Sequence, residues 1–200
     1  MELSENDFRK MDHLKLIKQY FDKHFPSFKG TNGFINAFEI KVYPKKELLL
    51  RYDKVEKELK FINKGIVREY YMTDGNEVNI DFYSEGHFLT NFISFHTDSP
   101  SSKYQECITE TELLVLSKEA CDEWLKKHPE GNILIETSFK RLLLANEKKE
   151  LELITHKPEV MYKALEKAHP NWLLNIPQYH IASYLRITPE TLSRIRKRNS

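Results

Sequence analysis

The sequence predicts an α+β fold in three parts: an N-terminal double-stranded β-helix (jelly-roll) domain, a long helix, and a C-terminal helix-turn-helix domain. Apolar residues alternate with period two between about residues 33 and 117, which is typical of half-buried strands. On both sides of this stretch the apolar spacing changes to three and four residues, which indicates amphipathic helices. The 200 residues, of which 40% are hydrophobic, can supply the cores of two small domains. We expect the boundaries at 1–131, 132–155 and 156–200.

The first predicted element is a helix over residues 7–24, which Pro26 ends. Its apolar positions recur every three or four residues, so they form one face that packs on the rest of the domain. These positions are Phe8, Met11, Leu14, Ile17 and Phe21.

Turn residues divide the following stretch into short strands. Asp74-Gly75 lies between two runs of strand-forming residues, 70–72 and 78–80, and this dipeptide predicts a tight β-hairpin. Further turns are predicted at residues 63–65 and 84–86, each of which ends in glycine. Many short strands with regular turns favour a jelly-roll or a barrel.

Helical spacing returns after Ser117, which suits the N-cap of a short helix that ends at Pro129. A long helix is then predicted from about Asn132 to residue 154, and Pro158 opens a further helix to about Lys167. The long helix carries one apolar stripe, formed by Ile135, Phe139, Leu142 and Leu143.

Residues 176–198 contain two short helical patterns with a break between them. Thr188 is a good N-cap for the second helix, and Pro189 suits its first position, where no amide donor is needed. The apolar positions that face one another are Ile181, Ala182, Leu185, Leu192 and Ile195. This pattern predicts a helix-turn-helix, whose second helix enters the major groove of DNA.

The charge distribution supports a nucleic-acid partner. From Asn171 onward five basic residues and one acidic residue give a net charge of +4, whereas residues 1–170 carry −3. A basic end on a mildly acidic body is an electrostatic footprint for phosphate. The alternative is a helical hairpin with a solvated basic tail.

Two stretches carry a family resemblance. Residues 181–185 (IASYL) and 187–194 (ITPETLSR) resemble the helix-turn-helix of the cyclic-AMP receptor protein and fumarate–nitrate regulator (Crp/Fnr) family, and most closely its branch in Bacteroidetes-type bacteria. Residues 57–88 resemble the family's cyclic-nucleotide-binding-like β-roll, and residues 86–121 align with it without a gap. One departure is Arg186, where the family usually has glycine. If the backbone there needs a positive φ, arginine costs about 1 kcal/mol.

The resemblance implies a transcription regulator that binds a palindromic operator in double-stranded DNA as a homodimer. The long helix would pair with its copy through Ile135, Phe139, Leu142 and Leu143; alternatively, this stripe packs only on its own β-roll. The implied DNA contacts are Gln178, Tyr179, Thr188, Pro189, Glu190, Thr191, Ser193, Arg194, Arg196, Lys197 and Arg198. A contact with RNA polymerase and a small-molecule effector of unknown identity stay open.

A wing is a second feature of the C-terminal domain in this family. Many members of the family are winged helices, with a β-hairpin before the recognition motif. Here residues 173–176 alone separate Trp172 from Pro177, so we expect this hairpin to be shortened or missing.

The family's phosphate cassette is not retained. A Gly-Glu-Leu turn and an Arg-Ser/Thr-Ala segment hold the cyclic nucleotide in the family, and residues 90–92 (TNF) and 101–103 (SSK) replace them here. Without that glutamate and that arginine, we expect neither cyclic AMP nor cyclic GMP to bind. The pocket residues suggested by family position are Phe88, Asn91, Phe92, Ser101, Ser102 and Tyr104.

Other classes of protein fit less well. Cys107 and Cys121 are too few for an iron–sulfur cluster, and His87 and His96 are not spaced like a metal set. We therefore expect no cofactor, no metal, no catalytic residue and no enzymatic activity. The chain is also expected to be cytoplasmic and not bound to a membrane. The competing hypothesis is a ligand-binding β-roll sensor or adaptor whose helical tail binds protein.

Overall fold

The computed structural model describes residues 13–28 and 30–199. The start of the predicted first helix, with Phe8 and Met11, lies outside these residues. The helices are α1 (Lys15–His24), α2 (Thr31–Asn36), α3 (Phe92–Thr97), α4 (Lys118–Lys127), α5 (Asn132–Thr155), α6 (Pro158–Ala168), α7 (Pro170–Asn175), α8 (Gln178–Tyr184) and α9 (Pro189–Asn199). The strands are β1 (Glu39–Tyr43), β2 (Leu48–Leu50), β3 (Glu58–Lys64), β4 (Ile66–Thr73), β5 (Asn76–Ser84), β6 (Phe88–Leu89), β7 (Tyr104–Cys107) and β8 (Thr111–Ser117).

The strands form two four-stranded sheets, in the orders β1-β8-β3-β6 and β2-β7-β4-β5. All their pairings are antiparallel, and consecutive strands alternate between the sheets except at the β4–β5 hairpin. The space between the sheets is filled by Ile62, Val67, Leu89, Cys107, Leu113 and Val115. This arrangement confirms the predicted β-roll.

Local signals in the sequence account for most of the boundaries. Asp74 and Gly75 both have positive φ, as a two-residue type I′ turn requires, and Thr73 pairs with Asn76 across it. The Ser117 hydroxyl accepts a hydrogen bond from the Ala120 amide at 3.1 Å, so the predicted cap of α4 is confirmed. The long helix also begins at the predicted residue.

Two helices interrupt the region that we expected to be strands throughout. Phe34 of α2 and Phe38, just after its end, are four residues apart and both buried, a helical spacing that the alternating pattern concealed. In α3, the Asn91 side chain accepts a hydrogen bond from the Ser94 amide, which caps the helix. A polar residue before a short apolar run thus starts a helix here instead of continuing a strand.

The outer face of the first sheet is covered by α1, α2, α4 and the first turns of α5. Phenylalanine dominates this layer: the ring of Phe21 packs against Phe34 at 5.7 Å and Phe88 at 6.0 Å, and Phe61 contacts Phe88 at 5.0 Å. Edge-to-face contacts at these distances are favourable beyond the area that they bury. This layer places α5 beside the roll.

The helices after α5 form a second core, which also contacts the second sheet. Tyr162, Leu165, Trp172, Ile181, Leu192 and Ile195 are buried together with Ile66, Phe82 and Ile108 of the roll. Residues 156–199 contain no strand, and the short helix α7 lies where a wing hairpin would precede the motif. None of the described helices combines the length and apolarity needed to cross a membrane.

Candidate functional site

The two segments aligned with the phosphate cassette lie next to each other inside the roll. Asn91 and Ser101 are 8% and 2% exposed, and the Asn91 amide donates to the Ser101 hydroxyl at 2.8 Å. The side-chain carbonyl of Asn91 accepts from the backbone amide of Ser94 at 3.3 Å. The Ser101 hydroxyl accepts from the backbone amide of Lys103 at 3.0 Å. Because these side chains bond to each other directly, no space remains between them for a phosphate group.

Ion pairs also occupy the roll interior. Lys103, the cation that could have met a phosphate, donates to Glu69 at 3.0 Å, and Gln105 donates to the same carboxylate at 3.3 Å. Deeper in the roll, Lys60 contacts both carboxylate oxygens of Glu56, at 2.6 and 2.7 Å. A buried carboxylate such as Glu69 disfavours an anionic ligand in the same space.

The six pocket residues suggested by family position fall into separate places. Asn91 and Ser101 contact each other inside the roll, whereas Ser102 is exposed in the preceding turn of β7. Tyr104 lies in a stack of rings with Tyr70, at a centroid distance of 5.0 Å. Phe88 and Phe92 line a different space, a cavity of about 650 Å³ between the first sheet and α1, α4 and α5.

Helix α5 has two apolar faces. Ile135, Phe139 and Leu142 are half-buried against the roll of the same chain, and the Phe139 ring lies 5.6 Å from Phe92 and 5.1 Å from His96. The opposite face is apolar and exposed, with Leu143 at 64%. The large apolar residues of this exposed face are Ile133, Leu143, Leu144, Leu151 and Ile154.

A four-residue turn joins α8 to α9. Arg186 has φ +59, so the position where arginine replaces glycine does require the left-handed conformation. The amides of Arg186 and Ile187 close the end of α8 by donating to Ser183 and Ala182 at 3.1 and 3.0 Å, as in a Schellman motif. Thr188 accepts from the Thr191 amide at 3.3 Å, as an N-cap residue does.

The outward face of α9 is polar. Leu192 and Ile195 are each 1% exposed and pack the helix on α8. The residues on the opposite side of α9 therefore point to solvent. The exposed residues on this face are Glu190, Ser193, Arg194 and Lys197. Hydrogen bonds from its own amide and from the Thr188 hydroxyl hold the pKa of Glu190 below its ordinary value, so this carboxylate also serves as a first-turn acid.

The other predicted DNA contacts differ in availability. Gln178, Tyr179 and Pro189 are exposed, as is Arg198, whose guanidinium lies 3.8 Å from the Glu159 carboxylate. Arg196 is half-buried. The exposed ion pair between Arg198 and Glu159 is weak, so it does not prevent Arg198 from contacting phosphate.

The first helix of this pair is docked on the roll through polar side chains that sequence reasoning missed. Arg68 is 3% exposed on β4 and donates to Glu77 at 2.5 Å and to Glu106 at 2.8 Å. The Nδ1 atom of His180 lies 3.2 Å from the Arg68 guanidinium and 3.1 Å from the Asn79 amide nitrogen. Both partners can only donate, so Nδ1 is the acceptor and carries no proton.

A second contact lies beside it. The Ser183 hydroxyl accepts from the backbone amide of Asn79 at 3.0 Å. The Lys149 ammonium of α5 forms an ion pair with Asp81 at 2.9 Å. The contacts of α5 and α8 with the roll join residues more than 60 positions apart in the chain, so no local pattern could have revealed them.

Metal and thiol chemistry find no support in the described residues, which contain no cluster of histidine, cysteine and carboxylate groups able to hold a metal. Cys107 and Cys121 are buried, and burial raises the pKa of each thiol to about 11. Thiols of this kind are neutral at pH 7 and act as small apolar residues.

Comparisons with known proteins agree with this fold. Residues 40–128 match the family described as Cyclic nucleotide-binding domain, and no curated protein matches the chain. The c-di-GMP-responsive global regulator CLP of Xanthomonas campestris superposes with a TM-score of 0.66 and 16% identity, over 84% of this chain and 89% of that one. FixK2 of Bradyrhizobium japonicum gives 0.65 and 18%, over 80% and 83%. The catabolite activator protein of Thermus thermophilus gives 0.56 and 18%, over 90% and 85%.

At these identities the likeness to solved structures concerns the fold. One of these neighbours is named a global regulator and another an activator protein, and each of the three is matched over most of its own length. Residues 40–128 thus match the cyclic nucleotide-binding domain family, and the chain has the fold of the catabolite activator protein and of the regulator CLP.

Proposed function

We propose that the chain is a DNA-binding transcription regulator of the Crp/Fnr type, which binds a palindromic operator as a homodimer. The observation that carries this proposal is the arrangement of α8 and α9. Their apolar residues are buried between them, while Arg194 and Lys197 are exposed on the outer face of a helix capped by Thr188. A helix presented in this way can enter the major groove.

The proposed readers lie near the start of α9. Arg194 can donate two hydrogen bonds to guanine, Glu190 can accept from cytosine, and Pro189 can offer only apolar contact. Thr188, Thr191 and Ser193 can add hydrogen bonds to bases or phosphates. The proposed phosphate contacts are Gln178, Tyr179, Arg196, Lys197 and Arg198. The motif on α8 and α9 also supports our assignment to the Bacteroidetes-type branch.

The proposed dimer surface is the outward face of α5. Ile135, Phe139 and Leu142 already pack on the roll of their own chain, which leaves only Leu143 of the predicted stripe exposed. Ile133, Leu144 and Leu151 are separated by 11 and 7 residues, so they fall within about 20° of one another around the helix. A continuous apolar line of this kind favours pairing with the same line on a second copy.

The effector of this regulator is not a cyclic nucleotide in our proposal. The hydrogen bond between Asn91 and Ser101 leaves no space for a phosphate group between the two cassette segments. The Glu69 carboxylate, which pairs with Lys103, also disfavours an anion there. An anionic effector therefore binds somewhere other than the interior of the roll.

Selection of bound sequences from a random pool of duplex DNA tests the proposal. We expect enrichment of a two-fold symmetric site with half-sites about one helical turn apart, and an affinity that falls steeply with salt. Failure to enrich any sequence, together with salt-independent retention, would refute a function in operator recognition.

A further inference from the structure

The cavity of about 650 Å³ lies outside the space that the family's ligand would occupy. Strand β3 separates the two spaces: Leu59 lines the cavity, whereas the next residue, Lys60, points into the roll. The walls are the outer surface of this strand and parts of α1, α3, α4 and α5. Its volume falls within the range of about 300–1,000 Å³ that is usual for small-molecule sites.

The described residues that line the cavity are mostly apolar. Aromatic and aliphatic side chains form most of its surface, and none of the described residues that line it is acidic. The lining residues that carry a positive charge at neutral pH are Lys23 and Arg141. Burial is the main cause that lowers the pKa of His24 and of His96, so these two rings are neutral at pH 7.

Arg141 contacts α1 and has no counter-ion among the described residues. Its guanidinium donates to the His24 carbonyl at 2.9 Å and lies 4.9 Å from the centre of the Phe25 ring. Burial raises the pKa of the nearby Tyr20 phenol, and the charge of Arg141 acts in the opposite direction. Within the described part of the chain no carboxylate lies within 4.0 Å of it. An exposed guanidinium with free donors at the edge of an apolar space suits a carboxylate ligand.

We propose that this cavity binds a single-chain amphiphilic carboxylate, such as a free fatty acid. The acyl chain occupies the apolar part between Phe88, Phe92 and Trp124, and the carboxylate pairs with Arg141 at the mouth. The described lining contains no acidic residue and includes Arg141, so it favours an anionic head group. The aromatic walls favour an apolar body on the same ligand. This proposal concerns binding alone and does not rest on the proposed DNA-binding function.

Quenching of tryptophan fluorescence provides a direct assay. The chain has two tryptophans, Trp124 and Trp172, and only Trp124 lines the cavity, so the Trp172→Phe variant reports on this site. The probe is 9,10-dibromostearic acid, whose bromine atoms quench an indole at short range. We expect saturable quenching at micromolar concentrations below the micellar range of the probe.

Charge and space are then tested separately with matched variants. Arg141→Met should weaken binding about tenfold or more, while Lys140→Met, a change in the exposed neighbouring cation, should leave it unchanged. Ser138→Phe, which fills the cavity, should abolish quenching. The methyl ester of the probe should bind wild-type protein as weakly as the acid binds Arg141→Met.

Several results would overturn the proposal. These are the absence of saturable quenching, equal losses in Arg141→Met and Lys140→Met, or undiminished binding to Ser138→Phe. Equal affinity of the acid and its methyl ester for the wild type would also exclude a carboxylate site, and this comparison needs no variant to fold. Quenching that appears only with brominated phospholipid vesicles would assign the surface to a membrane instead.

Discussion

The neutral state of His180 predicts a specific loss of stability in acid. The ring is 5% exposed, and burial together with the neighbouring Arg68 guanidinium lowers its pKa to about 4. Protonation of Nδ1 would place an N–H group against the donors of Arg68 and Asn79. Because the unfolded chain binds this proton more readily, the free energy of unfolding falls as the pH drops from about 6.5 towards 4.

The magnitude of this loss follows from the two pKa values. With about 6.5 in the unfolded chain and about 4 in the native protein, His180 removes about 2 kcal/mol at pH 5. At pH 7 it removes only about 0.2 kcal/mol. The charged groups that face the ring are Arg68 itself and its partners, Glu77 and Glu106.

Urea unfolding of wild type and of His180→Asn at pH 7 and pH 5 measures this contribution. The asparagine carbonyl can accept from Arg68 and Asn79 but does not titrate, so it is a matched control. We expect the stability of wild type to fall by about 2 kcal/mol more than that of the variant over this interval. The carboxylates near Arg68 are common to both proteins, so their titration cancels. Equal pH dependence of the two proteins would refute the reasoning.

The remaining predictions concern the dimer, the DNA, the turn and the effector. Leu144→Glu with Leu151→Glu should give monomers in sedimentation; a dimer would place the interface elsewhere. Arg194→Ala should cost about 1–3 kcal/mol in operator affinity and relax one base pair, whereas Lys197→Ala should weaken all sequences alike and lower the salt slope by about one. Equal weakening of operator and random DNA by Arg194→Ala would instead make it a phosphate contact. Arg186→Gly should raise the free energy of unfolding by about 1 kcal/mol, because φ there is +59; a decrease would mean that the arginine side chain stabilises the turn. Calorimetry with cyclic AMP should show no micromolar binding, and measurable heat would contradict the closed cassette.

The sequence predicted those parts of the fold that local chemistry determines. Asp74-Gly75 specifies its hairpin by positive φ, and Ser117 and Thr188 specify helix starts by accepting amide hydrogen bonds. It could not decide which apolar face of α5 meets the roll, because both faces are apolar and only tertiary packing separates them. Phe139 was predicted to lie either at the dimer surface or against its own roll, and its contact with Phe92 of the same chain depends on tertiary packing.

For the candidate sites, too, local residue types were predictive and long-range contacts were not. Loss of the phosphate cassette was evident from Asn91 and Ser101, because residue type alone removes the charge. The cavity beside Arg141 depends on α1 and α5 meeting across more than a hundred residues, as in the contact of Arg141 with His24. An unpaired arginine on an amphipathic helix was the only local signal, and it did not indicate which surface it would face.

The docking of α8 on the roll has a consequence for effective concentration. Two residues, His156 and Lys157, connect α5 to α6, so α8 cannot move far from β5 even when the contact opens. A short tether of this kind gives a local concentration on the order of millimolar, so hydrogen bonds that would be too weak between separate molecules suffice to hold the helices. The orientation of α9 in the free protein is therefore set by the apolar and polar contacts of its neighbouring helices with the roll, which the short linker strengthens.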